Sequence, residues 1–298
     1  MQAHHLWVAS PLRWVDDPTV SFIRLLSTDF DGTLAGGAWG EICAPTLAHE
    51  LPAVVDGGSL WVVNTGRPLE SALDGLESLH LGVSPDYILA SERHIFQPDG
   101  KGGWIDYGDW NQTCTEHHDL LFLEGGGFFS QIEKLAERTT GVRVLHNAEG
   151  VPEGLVADTE ETLNEVTLDI LDLPGRPKNF NFQRSNIYLR FCHQNYNKGN
   201  SLAELNRLLD MPVESILAIG DHQNDLSMLY GDVAAMVACP SNAHPLVKES
   251  VMNAGGHVSE LEAGEGTAEA IHLYRTGKKK PRVLPSMHPV PPSVRLNE

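Results

Sequence analysis

Short β-branched and apolar runs that stop at Gly, Asp or Thr recur along this chain. Phe22 to Thr28 ends at Asp29, and Leu60 to Asn64 ends at Thr65. Tyr87 to Ala90 is a third run, Ser215 to Ile219 ends at Gly220 and Asp221, and Val233 to Ala238 is a fifth. The runs are near-continuous, not alternating, which suits strands covered on both faces. Helical patterns lie between them. Leu69, Leu73 and Leu76 share a face after Pro68, and Leu202, Leu205, Leu208 and Leu209 share one after Lys198. Strands alternating with helices predict an α/β fold: a Rossmann-like parallel sheet core with helices on both faces. Such sheets bind ligands outside the carboxyl ends of their strands, where the polar clusters of this chain fall.

The middle of the chain reads differently. Between Trp110 and Cys192 there is a helix pattern over Phe128 to Thr139, with strand-like pieces at Val142 to Leu145, Glu165 to Ile170 and Ile187 to Phe191. Pro98-Asp99-Gly100 and the stretch Leu173 to Lys178 are rich in turn residues. The expected organisation is a discontinuous core over 20–109 and 193–276, an inserted α+β cap domain over 110–192, and a flexible tail over 277–298. That tail holds Lys278 to Lys280, read as a solvated basic run, and five prolines.

A formal net charge of −19 repels nucleic acid and anionic membrane, so neither is an expected partner. It also repels a phosphorylated ligand at long range, so a phosphate site here needs its own local positive charge. The apolar runs are far too short to span a bilayer, and Met1 to Trp7 lacks the pattern of a secretory signal. Cys43, Cys114, Cys192 and Cys239 are scattered without a CxxC pair. They read as reduced thiols of a cytoplasmic protein, not as zinc ligands or disulfides.

Four segments carry chemistry. In Asp29-Phe30-Asp31-Gly32-Thr33 a buried strand runs into carboxylates at i and i+2, which point to the same side of a strand. Close carboxylates repel unless a cation or proton separates them, and magnesium is the usual hard cation beside phosphate. An Asx turn closing the strand would use the same residues. In Thr65-Gly66-Arg67-Pro68 the hydroxyl and free N–H groups at a helix start form either an anion cradle or a simple cap. In Asn197-Lys198-Gly199 a lysine stands at a helix N-terminus, against the dipole, and is favoured there only if an anion lies between them or it faces solvent. In Gly220-Asp221-His222-Gln223-Asn224-Asp225 another strand delivers a carboxylate that can complete a metal site begun by Asp29 and Asp31. Adjacent His117 and His118 read as surface residues, and His222 as a bystander beside the fourth segment.

In order, these segments resemble the four motifs of the haloacid dehalogenase-like superfamily, in its Cof-type or sucrose-phosphatase-like branch. That branch carries its α+β cap between the second and third motifs, as Trp110 to Cys192 lies here. The resemblance covers most of Phe22 to Tyr274, including a Gly-rich flap-like segment from Ala35 to Gly40. It departs at Ser91-Glu92-Arg93, where relatives often have Ser-Asn-Gly. The resemblance implies Asp29 as nucleophile and Asp31 as acid/base. It implies a magnesium site at Asp29, the chain at Asp31, and Asp221, with Asp225 behind it. It also implies Thr65, Gly66, Lys198 and Asn224 around the phosphate. The expected activity is magnesium-dependent hydrolysis of a small phosphorylated metabolite such as a sugar phosphate. Phosphotransfer to a second hydroxyl, or non-catalytic binding of a sugar phosphate, are the alternatives on the same fold.

Overall fold

Successive residues of the central strands point into two separate cores, which explains why their sequences are apolar throughout. Leu26, Trp61, Val63, Leu217 and Ile219 pack on one side, and Leu25, Val62, Ile216 and Ala218 on the other. The computed structural model describes residues 22–40, 42–147 and 150–282. Its elements begin with β1 (Leu25–Thr28), α1 (Leu47–Asp56), β2 (Leu60–Asn64), α2 (Leu69–Leu79), β3 (Tyr87–Ala90), β4 (His94–Pro98) and β5 (Trp104–Asp106). Then come α3 (Trp110–Glu124), α4 (Gly126–Arg138), β6 (Val142–His146), β7 (Pro152–Ala157), α5 (Glu160–Asp172), β8 (Phe180–Ser185) and β9 (Tyr188–His193). The chain continues with α6 (Lys198–Leu208), β10 (Ile216–Ile219), α7 (Leu226–Leu229), β11 (Met236–Cys239), α8 (Pro245–Asn253), β12 (His257–Val258) and α9 (Ala263–Arg275).

The large sheet has eight strands in the order β12-β11-β10-β1-β2-β3-β4-β5. It is parallel from β12 to β3, and β4 and β5 add antiparallel strands at one edge. Helices α1 and α9 cover one face through Leu47, Leu51, Val54, Ile271 and Tyr274. Helices α6, α7 and α8 cover the other through Leu202, Leu205, Met228, Leu229, Val247 and Val251. Burying each Leu, Ile or Val of this kind contributes roughly 1.5–3 kcal/mol. The fold class is therefore α/β with a parallel Rossmann-like core, as the sequence predicts. The register places Thr28 beside both Ile219 and Val63, so the chain leaves β1, β10 and β2 along one edge of the sheet.

A separate antiparallel sheet, β6-β7-β9-β8, is carried with α3, α4 and α5 between β5 and α6. It has its own core, in which Phe128, Phe129 and Ile132 of α4 and Leu163, Val166 and Ile170 of α5 meet Leu155, Leu189 and Phe191. Glu165 to Ile170 is helix, not the expected strand. Its apolar positions Leu163, Val166 and Ile170 are spaced at helical period, and Thr159 caps the start by accepting the Thr162 N–H at 3.1 Å. Trp110, where α3 begins, packs with the core and donates its indole N–H to the Arg93 carbonyl at 2.6 Å.

Residues 277–282 return along the core, with the Lys279 N–H on the Leu273 carbonyl and the Arg282 N–H on that of Ala235. The remainder of the expected flexible tail, and the N-terminal stretch read for a signal, lie outside the described residues. No helix among the described residues is long and apolar enough to cross a membrane.

Candidate active site

The carboxyl edge of the large sheet gathers the polar ends of β1, β2 and β10. Asp29 follows β1, and its N–H donates to the Ile219 carbonyl at 2.9 Å, so its position is set by strand pairing. Lys198, the first residue of α6, is fully buried. Its ammonium donates to Asp29 Oδ1 and Asp225 Oδ1, each at 2.6 Å. The anions that hold this lysine at a helix N-terminus are thus two side chains of the protein. Asn197 caps the same helix by accepting the Asn200 N–H. Burial opposes the charge on Lys198, but Asp225 and Asp29 outweigh it and raise its pKa.

Asp225 uses its second oxygen to accept the N–H groups of Asp221 and His222, both at 2.9 Å. This bends the chain sharply after β10 and points Asp221 toward Thr33, whose hydroxyl donates to Asp221 Oδ1 at 2.9 Å. Gly32 makes room for this approach. Its φ is +78°, and a Cβ there would lie 2.2 Å from Asp221 Oδ2, so any side chain would be strained and would displace the Asp221 carboxylate.

Carboxylate oxygens of Asp29, Asp221 and Asp225 lie within 4.8 Å of one another. One lysine faces three buried carboxylates. Burial first, and then the Asp225 charge, push Asp221 up to about 7 and raise Asp29 well above the usual carboxylate range. The set fits a hard divalent cation, which would supply the missing positive charge through oxygen ligands.

The carboxylate of Asp31 stands apart from this cluster. Arg67 Nε donates to Asp31 Oδ2 at 2.8 Å and Nη2 to Oδ1 at 2.5 Å, with the guanidinium stacked over Phe30 at 4.4 Å. The strand has ended by this point, so Asp31 sits in a turn and remains largely exposed. It still lines the same cavity as Asp29. That cavity, about 380 Å³, lies between the two sheets and is bounded below by Asp29, Gly66 and Asn224 and above by Tyr188 and Arg190 of β9. Tyr188 and Arg190 reach it because their neighbours Leu189 and Phe191 face the helices of the smaller sheet.

Thr65 is buried at the end of β2, and its hydroxyl accepts the Arg67 N–H at 3.1 Å in the turn before α2; the helix itself starts after Pro68 with no side-chain cap. Lys198, Asp221 and Asp225 form the layer beneath the cavity. His118 is buried, not exposed as expected: its Nε2 accepts the His193 N–H at 3.2 Å, because α3 packs on β9. His117 meets the Tyr196 hydroxyl at 2.8 Å. His222 accepts the Asn186 N–H at 3.2 Å and so joins the β8–β9 turn to the core.

Residues 145–268 match the model of a family described as haloacid dehalogenase-like hydrolases. The match covers less than half of the chain. A phosphatase-named protein of Streptococcus pyogenes serotype M6 is 25% identical over 278 residues, covering 85% of this chain and 98% of its own length. The 5-amino-6-(5-phospho-D-ribitylamino)uracil phosphatase of Bacillus subtilis is 24% identical over 85% of this chain and 96% of its own. The sucrose-phosphatase of Synechocystis sp. PCC6803 superposes with a TM-score of 0.62 at 20% identity, covering 84% of this chain and 97% of that one. This last likeness is one of fold.

The matched stretch holds Lys198, Asp221, Asn224 and Asp225, while Asp29 joins them through the ion pair with Lys198. Sequence reasoning missed the parts played by Thr33, Glu92 and Arg190. Arg190 donates Nη1 to the Gly66 carbonyl at 2.9 Å, tying the small sheet to the core. Glu92 is buried beside the site and accepts from Asn224 Nδ2 at 2.8 Å. The one sequence signal for Glu92 was its place in the departure at Ser91-Glu92-Arg93.

Proposed function

We propose that this protein is a magnesium-dependent phosphatase that hydrolyses a small phosphate monoester, a sugar phosphate in particular, through an aspartyl-phosphate at Asp29. The observation that carries this reading is the placing of Asp29. It is a buried carboxylate at a strand end, held at one oxygen by Lys198 and facing a cavity large enough for a small ester.

In the proposed reaction an oxygen of Asp29 attacks phosphorus and the bond from phosphorus to the ester oxygen breaks. Asp31 gives its proton to the departing oxygen, then takes a proton from the water that attacks the acyl phosphate. Inorganic phosphate leaves, and Asp29 is regenerated. Both Asp31 oxygens accept from Arg67, so this role requires Asp31 to leave that pairing during turnover. Lys198 and Asn224 neutralise and orient phosphoryl oxygens, and the loop after Thr65 adds backbone N–H groups. Magnesium at Asp29, Asp221 and the chain at Asp31, with Asp225 behind, would offset the charge of the phosphoryl group as it transfers. Residues 110–192 act as a cap that closes the cavity over the ester and selects its alcohol part through β9 and the β8–β9 turn.

The test is phosphate release from a panel of sugar phosphates and p-nitrophenyl phosphate. Turnover should require magnesium and vanish in excess chelator after bound metal is removed. Full activity without metal would sink the metal assignment, and transfer of the phosphoryl group to a second sugar would favour a mutase. In the same panel, Asp31→Asn should lower turnover of sugar phosphates at least about tenfold more than that of the aryl ester, which needs little help from an acid. Equal losses on both would remove Asp31 from the acid role.

A further inference from the structure

The cavity between the sheets contains a buried acceptor that the fold leaves without a donor. Glu92 follows β3, and both Ser91 and Glu92 adopt left-handed backbone, at φ of 53° and 66°. Non-glycine residues resist that region, and consecutive ones persist only where the surroundings hold them. Here the Ser91 N–H donates to the Arg67 carbonyl at 2.8 Å and the Glu92 N–H to that of Thr65 at 2.9 Å. The strained loop is thereby locked to the loop that carries Gly66.

The result is a carboxylate only 6% exposed that lines the same cavity as Asp29 and Arg190. Gly66 permits this placement, since a Cβ there would lie 3.2 Å from Glu92 Oε1. Oε1 accepts from Asn224 Nδ2 at 2.8 Å, whereas Oε2 is buried without a hydrogen-bond partner. An unsatisfied buried carboxylate oxygen is costly, and a ligand donor relieves that cost. A phosphoryl group at neutral pH offers acceptors only and cannot do so. A hydroxyl can. An ammonium would also donate, but the Arg190 guanidinium lines the same space and disfavours a second cation.

We propose that Glu92 is a specificity-determining residue, accepting a hydrogen bond at Oε2 from a hydroxyl on the alcohol part of the substrate, close to the ester carbon. It selects phosphorylated polyols over alkyl phosphates of the same size. This inference rests on the phosphatase reading for its reaction, but it concerns binding and has its own readout.

The experiment compares sn-glycerol 3-phosphate with n-propyl phosphate, which differ in the hydroxyls alone. Both kcat/KM and, in the Asp29→Asn background with magnesium, Kd by calorimetry are measured. The expected preference for glycerol phosphate is at least about tenfold, because a site built to bond a hydroxyl discriminates strongly against its absence. Glu92→Met, similar in size but without an acceptor, should bring the ratio close to one. Glu92→Gln keeps an oxygen for Asn224 and turns its amide group toward the ligand, so its ratio should fall between the two. If Glu92 merely positions Asn224, Glu92→Gln behaves as wild type and Glu92→Met weakens both esters alike with the ratio unchanged. That result overturns the proposal. So does tighter binding of 3-aminopropyl phosphate than of glycerol phosphate, which would make the donor an ammonium. Absence of turnover on every ester would end the phosphatase reading, while the Kd ratios would still decide the role of Glu92.

Discussion

Asp29→Asn should reduce phosphate release at least about a thousandfold, the scale of losing a covalent catalyst, while leaving the fold intact. The amide retains an oxygen for the Lys198 ammonium, so the contact at 2.6 Å can persist. It removes the charge that the proposed attack on phosphorus requires. Stability supplies a second signature. Burial, with the Asp225 charge next, raises the Asp29 pKa, so ionised Asp29 is an unfavourable component of the metal-free protein at neutral pH. The asparagine variant should therefore unfold at the same temperature or higher without metal, and magnesium should stabilise it less than it stabilises wild type. Turnover within tenfold of wild type would remove Asp29 from the nucleophile role.

Lys198→Met should be the most disruptive change in the layer beneath the cavity. Lys198 is buried with its ammonium between two carboxylates, and Asp221 adds a third nearby. Removing one partner of a buried ion pair leaves uncompensated charge and costs about 3–5 kcal/mol. Methionine fits the volume of the lysine stem, so packing alone should change little. Urea unfolding without metal should show a loss of this size, and magnesium should restore part of it by supplying cationic charge to the same carboxylates. Activity should fall by at least about a hundredfold even at saturating magnesium, because the point charge proposed to meet the phosphoryl oxygens is gone. A variant as stable and active as wild type would mean that Lys198 is neither a structural counter-ion nor a phosphate ligand.

Much of the core was legible because its signals are local. The runs at Leu60 to Asn64 and Tyr87 to Ala90 coincide with β2 and β3, and the helix after Lys198 begins where its cap Asn197 stands. In such strands burial on both faces removes polar alternation, so an apolar run and the carboxylate that ends it can be read together. The smaller sheet was less legible. Its α5 combines β-branched residues with acidic ones, and a short window over Glu165 to Ile170 conceals the helical spacing that Leu163 reveals. Strands β7 and β8 carry mixed exposure, with one face toward the cavity, and show no strong pattern.

The site divides in the same way. The motif carboxylates announce themselves at strand ends, but their pairing does not. Nothing near Lys198 in sequence indicates Asp29 as its partner, nor does anything near Asp31 indicate Arg67. Arg190 reaches Gly66 and Asn224 reaches Glu92 only because separate sheets and loops converge, and such contacts leave no local periodicity. His118 was misread for the same reason: its burial depends on β9 lying against α3.

The central claim is that the phosphoryl group rests on Asp29 during turnover. Acid quenching of the wild-type enzyme with magnesium and a phosphate ester, followed by reduction with labelled borohydride, converts an acyl phosphate to labelled homoserine. Peptide mapping should then find the label at position 29 and not at 31, and should find none in Asp29→Asn. Phosphate release that proceeds without label at position 29, or with label at another carboxylate, would contradict the account.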